Sequence, residues 1–102
     1  MKFLNLEAKA FQEKLQKNQN ARLIDVREAY EYEDFNIGGT NIPMSEVLSR
    51  TEEFANCQEI LICCASGKRS AVVAHHLARR LPQTKIYSLT GGLTAFQTEE
   101  AS

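Results

Sequence analysis

The sequence predicts an α/β fold built around a parallel sheet, and three observations carry that expectation. Short apolar, β-branched runs alternate along the chain with stretches of helical period. The run Ile60-Leu61-Ile62-Cys63 has no polar break, as expected of a strand buried on both faces of a parallel sheet. Asp25, Cys64 and Gly91-Gly92 each fall where an apolar run ends, and the carboxyl ends of strands are where such sheets carry their working crevice.

In chain order, Asn5 is expected to cap a helix running to about Lys17, with Glu7 favourable in the first turn and Ala8, Phe11 and Leu15 on one face. Asn18-Gln19-Asn20 is a polar break. Arg22 to Val26 is a short strand ending in charge at Asp25 and Arg27. Ala29 to Phe35 reads as a short helix; the acidic run from Glu28 to Asp34 reads as a solvated face. Gly38-Gly39 marks a turn, and Ile42-Pro43 is extended because the residue before proline avoids the helical region. Ser45 opens a helical stretch with Val47 and Leu48 inward, ending near Asn56. Ser70 to Leu81 is the strongest helix, with Val73, Ala74, Leu77, Ala78 and Leu81 as its buried stripe and Pro82 closing it. His75, His76, Arg79 and Arg80 take its polar face, so neither histidine reads as catalytic. Lys85 to Leu89 is a further strand, and Gly91-Gly92 turns into a last short helix bearing Leu93 and Phe96.

A chain of 102 residues with 43 % hydrophobic and 25 % charged content suits a single globular domain, here residues 1–102. A net charge of −1 argues against nucleic acid held by bulk electrostatics. No apolar run approaches the roughly 20 residues of a membrane span, and the N-terminus shows no signal-peptide pattern. Three cysteines, two of them adjacent, do not form a disulfide framework, so a cytoplasmic, reducing setting is expected. Metal-ligand spacing is lacking, and no metal is inferred.

The chemistry concentrates in Cys64-Ala65-Ser66-Gly67-Lys68-Arg69-Ser70. Ala65, Ser66 and Gly67 are small enough for backbone N–H groups to turn inward, Gly67 permits positive φ, and Ser70 is expected to cap the next helix with its hydroxyl. A ring of N–H groups above a helix N-terminus is an anion site, and a cysteine placed there has its thiolate favoured. Lys68 and Arg69 add positive charge. The gain from ionisation is bounded: a free cysteine is already roughly 5–10 % thiolate at about pH 7.4, so full ionisation adds only about tenfold to twentyfold. A lower pKa also lowers intrinsic nucleophilicity. Most of any catalysis must therefore come from holding an anionic leaving group and orienting the attack. Cys63 alternates to the opposite strand face and reads as packing, or else as a resolving thiol for Cys64; Cys57 reads as inert. Counted from Cys63, the spacing Cys-x5-Arg-Ser also fits a phosphatase or arsenate-reductase loop. The shorter loop from Cys64 to Arg69 suits one sulfur atom better than a tetrahedral phosphate.

Four stretches together resemble the rhodanese-like domain of single-domain sulfurtransferases. Leu23-Ile24-Asp25-Val26-Arg27 followed by Glu31 resembles its opening motif, and Asn36 to Pro43 its second. Cys64 to Ser70 resembles its active-site loop, and Leu89 to Phe96 its closing motif. The match spans roughly Leu4 to Phe96. Asn36 replaces a usual histidine, Gly38 a common proline and Phe96 a common tryptophan, and the second motif is one residue short; these changes touch packing and loop stiffness rather than the nucleophile. The resemblance implies a three-layer fold with a central, mostly parallel five-stranded sheet flanked by helices. It also implies transfer of a sulfane sulfur from a donor such as thiosulfate, through a Cys64 persulfide, to a nucleophilic acceptor, without a cofactor. The expected partners are a small anionic sulfur donor, attracted by Lys68 and Arg69, and an acceptor that is a thiol or a protein. A sulfur-relay or binding module serving a protein partner is the alternative. Asp25 and Arg27 are expected to support the loop from beneath through structural polar contacts.

Overall fold

The structure is a computed structural model; it describes residues 2–18 and 20–101, with side chains described as far as residue 97. Met1, Ser102 and Gln19, the middle of the expected polar break, lie outside the described residues. Five strands are joined by helices: β1 Leu4–Leu6, α1 Ala8–Lys17, β2 Arg22–Asp25, α2 Ala29–Asp34, β3 Thr40–Asn41 and α3 Met44–Val47. A 3-10 segment, Leu48–Phe54, then leads to β4 Glu59–Cys63, α4 Lys68–Arg80, β5 Lys85–Leu89 and α5 Gly92–Ala101. The strand order is β1-β5-β4-β2-β3 and every pairing is parallel.

The central strand β4 explains the layering. Ile60, Leu61, Ile62 and Cys63 are all fully buried, and alternate residues of a strand face opposite ways. Ile60 and Ile62 join Ile24, Val26, Val47, Phe54, Val73, Ala74 and Leu77 on the side covered by α3, the 3-10 segment and α4. Leu61 and Cys63 join Phe11, Tyr87, Leu89, Leu93 and Phe96 on the side covered by α1 and α5. The result is the expected three-layer arrangement, helices on each face of one sheet.

Three helix starts differ from expectation. Asn5 is not a helix cap: it lies in β1, opposite Ser88 of β5, and α1 starts at Ala8 with Glu7 at the cap position and no side-chain cap bond. Leu4-Asn5-Leu6 is an edge strand of three residues whose pairing lies some eighty positions away, so local pattern could not reveal it. The helical stretch after Pro43 starts at Met44, one residue early, and tightens into 3-10 geometry from Leu48. Ser70 is not the cap of α4 either. The helix begins at Lys68, Gly67 takes the cap position at φ 96°, and Ser70 sits one turn in.

Candidate active site

The chain turns sharply after β4, and that turn sets the site. Cys64 follows the last strand residue, faces the α4 layer and is fully buried. Gly67 adopts a left-handed φ that favours glycine, which lets α4 start immediately. The backbone N–H of Gly67 donates to Cys64 Sγ at 3.1 Å and that of Ser70 at 3.3 Å. Among the described residues these two amides, rather than a full ring, make the recorded backbone bonds to the sulfur. Both belong to the first turn of α4, at the positive end of its dipole. The sulfur also lies 3.6 Å from Ser70 Oγ. Ser70 Oγ donates to the Gly67 carbonyl at 3.2 Å and pairs with Ser88 Oγ of β5 at 2.8 Å.

The loop is clamped from β5 and α5. Leu93 N–H donates to the Cys64 carbonyl at 2.8 Å and Thr94 N–H to the Ala65 carbonyl at 3.2 Å. Gly92, at φ 65°, lies so close that a Cβ there would stand 2.5 Å from the Ser66 nitrogen and closer still to the Ala65 carbonyl. Gly92 of the closing motif is therefore backbone packing for the cysteine loop, whereas a Cβ on Gly91 would meet Ala95 of α5. Ser66 and Lys68 are exposed at its mouth, and Ala65 and Gly67 half-buried.

The two cations expected beside the sulfur divide. Lys68 is solvent-exposed. Arg69 is engaged by Glu31 of α2 in a bidentate pair, Nη1 to Oε1 at 2.8 Å and Nη2 to Oε2 at 3.0 Å. Hydrogen bonding from Arg69 draws the Glu31 carboxyl down to about 2. Glu31 also accepts the Glu28 N–H and so closes the start of α2. The acidic run is thus not wholly a solvated face: Glu28, Glu33 and Asp34 are exposed, whereas Glu31 ties α2 to the loop.

Asp25 and Arg27 form a buried ion pair at 2.8 Å; Asp25 Oδ1 also accepts the Arg27 N–H at 3.0 Å. Asn41 Nδ2 donates to the carbonyls of both residues, and Arg27 donates to the Phe35 carbonyl. The pair lies beside Cys63, not beside the Cys64 sulfur. Desolvation, joined by the Asp25 charge, pushes the Cys63 thiol strongly up. Sequence reasoning missed two contributors. Ser88 carries a signal in hindsight, a hydroxyl inside the otherwise apolar buried run Ile86-Tyr87-Ser88-Leu89. Glu31 had none beyond its motif position, because its partner is 38 residues away.

The Rhodanese-like domain family profile matches residues 7–99. The chain belongs to that family. It is 36 % identical over 76 residues to YrkF of Bacillus subtilis, whose name gives it as a candidate sulfur carrier protein. The match covers 74 % of this chain and 41 % of YrkF. It is 32 % identical over 95 residues to the adenylyltransferase and sulfurtransferase MOCS3 of Drosophila virilis, covering 85 % of this chain and 21 % of that protein. The chain thus spans less than half the length of either relative. Its fold is that of a rhodanese-like domain protein from Staphylococcus aureus, with a TM-score of 0.79 at 23 % identity, covering 92 % of this chain and 91 % of that one.

Proposed function

We propose that this rhodanese-like domain is a sulfurtransferase that carries a sulfane sulfur on Cys64. The observation behind the reading is the Cys64 sulfur itself, aimed at two backbone N–H groups in the first turn of α4. In the first step the Cys64 thiolate attacks the outer sulfur of a donor such as thiosulfate. A new S–S bond forms, the donor's own S–S bond breaks, and its electron pair leaves with sulfite. In the second step an acceptor nucleophile, a thiolate or cyanide, attacks the outer sulfur of the Cys64 persulfide, and the Cys64 thiolate is released. This is two-step covalent catalysis, for which ping-pong kinetics are expected. Because Cys64 is fully buried, the 65–69 loop has to yield, or the side chain has to turn, for a donor to reach it.

Counting the loop from Cys63 instead finds no support. That thiol points into the α1/α5 layer, lies beside a carboxylate and is held protonated by burial. A sulfur-relay role, passing sulfur to a protein acceptor, is favoured by the kinship with YrkF and MOCS3, whose names attach them to sulfur carriage and transfer. Intact mass after incubation with thiosulfate, or with a low-molecular-weight persulfide, tests the main reading. The gain of one sulfur atom is expected in the parent and absent in Cys64→Ser. A parent that gains none from either donor, or a Cys64→Ser variant that still gains one, overturns it. Slow turnover with cyanide but fast transfer to a protein thiol selects the relay.

A further inference from the structure

We propose that Ser88 is a positioning residue for sulfur release, acting on the Cys64 sulfur through Ser70; this deepens the sulfurtransferase reading and rests on it. Ser70 and Ser88 are both buried, from α4 and β5 respectively, and their hydroxyl oxygens are 2.8 Å apart. A hydroxyl has one hydrogen and two lone pairs. Ser70 has three polar neighbours for them: the Gly67 carbonyl at 3.2 Å, Ser88 Oγ at 2.8 Å and Cys64 Sγ at 3.6 Å.

The hydrogen count limits what each group can do, and either serine can be the donor of the bond between them. The Gly67 carbonyl only accepts. When Ser88 donates to Ser70, the Ser70 hydrogen has two targets left, the Gly67 carbonyl and the sulfur. With Cys64 as a thiol, S–H donates to Ser70 Oγ and Ser70 donates to the Gly67 carbonyl. With Cys64 as a thiolate, the Ser70 hydrogen turns to the sulfur while Ser88 goes on donating to Ser70. The sulfur then has three donors, Gly67 N–H, Ser70 N–H and Ser70 O–H, and no heavy atom has moved. Ser88 keeps the Ser70 rotor off a useless third direction and polarises it, as linked hydrogen bonds do.

The two steps of transfer feel this unequally. During loading, a better-stabilised thiolate is more abundant but less nucleophilic, and the two effects offset each other in part. During release, Cys64 Sγ is the leaving group, and a leaving thiolate that is better stabilised departs faster. Loss of the Ser88 hydroxyl should therefore slow release more than loading.

The test is single-turnover kinetics on the whole chain, with thiosulfate for loading and cyanide for release, on the parent, Ser88→Ala and Ser88→Thr. Ser88→Ala is expected to release sulfur roughly three- to tenfold more slowly, the loss of about one hydrogen bond, with loading slowed clearly less. Ser88→Thr keeps the hydroxyl and should recover release. Equal release in the parent and Ser88→Ala overturns the proposal. So does an equal loss in both steps, the mark of a loop that has merely shifted. Should Ser88→Thr prove too large for its site, iodoacetamide labelling of Cys64 in Ser88→Ala, located by peptide mass, takes its place. A pH midpoint of labelling higher than the parent's supports the proposal, and an unchanged midpoint overturns it. A parent that takes up no sulfur refutes the sulfurtransferase reading and this proposal with it, whereas the failures above leave sulfur transfer standing.

Discussion

Cys63 and Cys64 share a peptide bond and the same degree of burial, and nothing else about their surroundings is alike. Cys63 points into the α1/α5 layer among Leu61, Tyr87, Leu89 and Phe96, next to the Asp25 carboxylate. Cys64 points the other way, into the start of α4, and its sulfur takes hydrogen bonds from Gly67 and Ser70. Both are closed to solvent, so exposure does not separate the two thiols. What separates them is the direction of the nearest backbone dipoles and charges. One residue of strand alternation decides it, because it turns one side chain toward amide hydrogens and the other toward a carboxylate.

The sharpest way to break this contrast is to disturb only one side of it. Gly92 presses on the Ala65 and Ser66 backbone, so a methyl there strikes main chain that cannot rotate aside. Gly92→Ala also places a Cβ on a residue at φ 65°. Left-handed strain of about 1–2 kcal/mol adds to an overpacking cost of about 1–3 kcal/mol, giving roughly 2–5 kcal/mol of destabilisation. The variant should melt well below the parent and lose most of its transfer activity even where it remains folded. Retention of parental activity in folded Gly92→Ala would show that the clamp on the loop is not needed.

The complementary change empties the other side. Cys63→Ala removes one buried atom from the α1/α5 layer, at a cost of about 1 kcal/mol by comparison with single-methylene deletions. Activity per folded molecule should stay at the parental level, and chemical denaturation should show the small loss. A variant that loads sulfur on Cys64 but no longer releases it would instead make Cys63 the resolving thiol.

How much of this was legible beforehand follows from distance along the chain. The strand β4, the tight loop and the stripe of α4 are local patterns, and they stand as read. Five strands came from the family resemblance; local pattern yielded no β1, since Leu4-Asn5-Leu6 is short, sits at a sheet edge and pairs with Tyr87, Ser88 and Leu89 at the far end of the chain. The start of α4 lies two residues before the expected Ser70, because a capping hydroxyl and a buried hydroxyl one turn in look the same in a string of letters. In the fold Ser70 faces Ser88, 18 positions on. Arg69 read as a free cation for the same reason: its acidic partner is on another helix.

That ion pair gives the mildest change. Glu31→Gln leaves an amide that can still accept the Glu28 N–H, but it removes the charge that holds Arg69. Arg69 then becomes available at the loop mouth, and the KM for a dianionic donor such as thiosulfate should fall a few-fold, in the range set by one partly screened charge. An unchanged KM would mean that Arg69 lies too far from the donor's path to matter. The same variant carries a pH signature with a definite sign. Arg69 holds the Glu31 carboxyl at about 2, below the usual value near 4.3 in an unfolded chain, so its protons bind more weakly in the folded state. The stability this contributes is fully present above about pH 5 and is lost as pH falls toward 2. The Arg69 and Glu31 side chains are 35 % and 21 % exposed, which limits the contribution to about 1 kcal/mol or less. Parent and Glu31→Gln should therefore differ by that amount in denaturation at neutral pH and converge in acid. A gap that persists unchanged at about pH 2–3 would assign the difference to packing at the start of α2 rather than to the charge pair that spans from α2 to the cysteine loop.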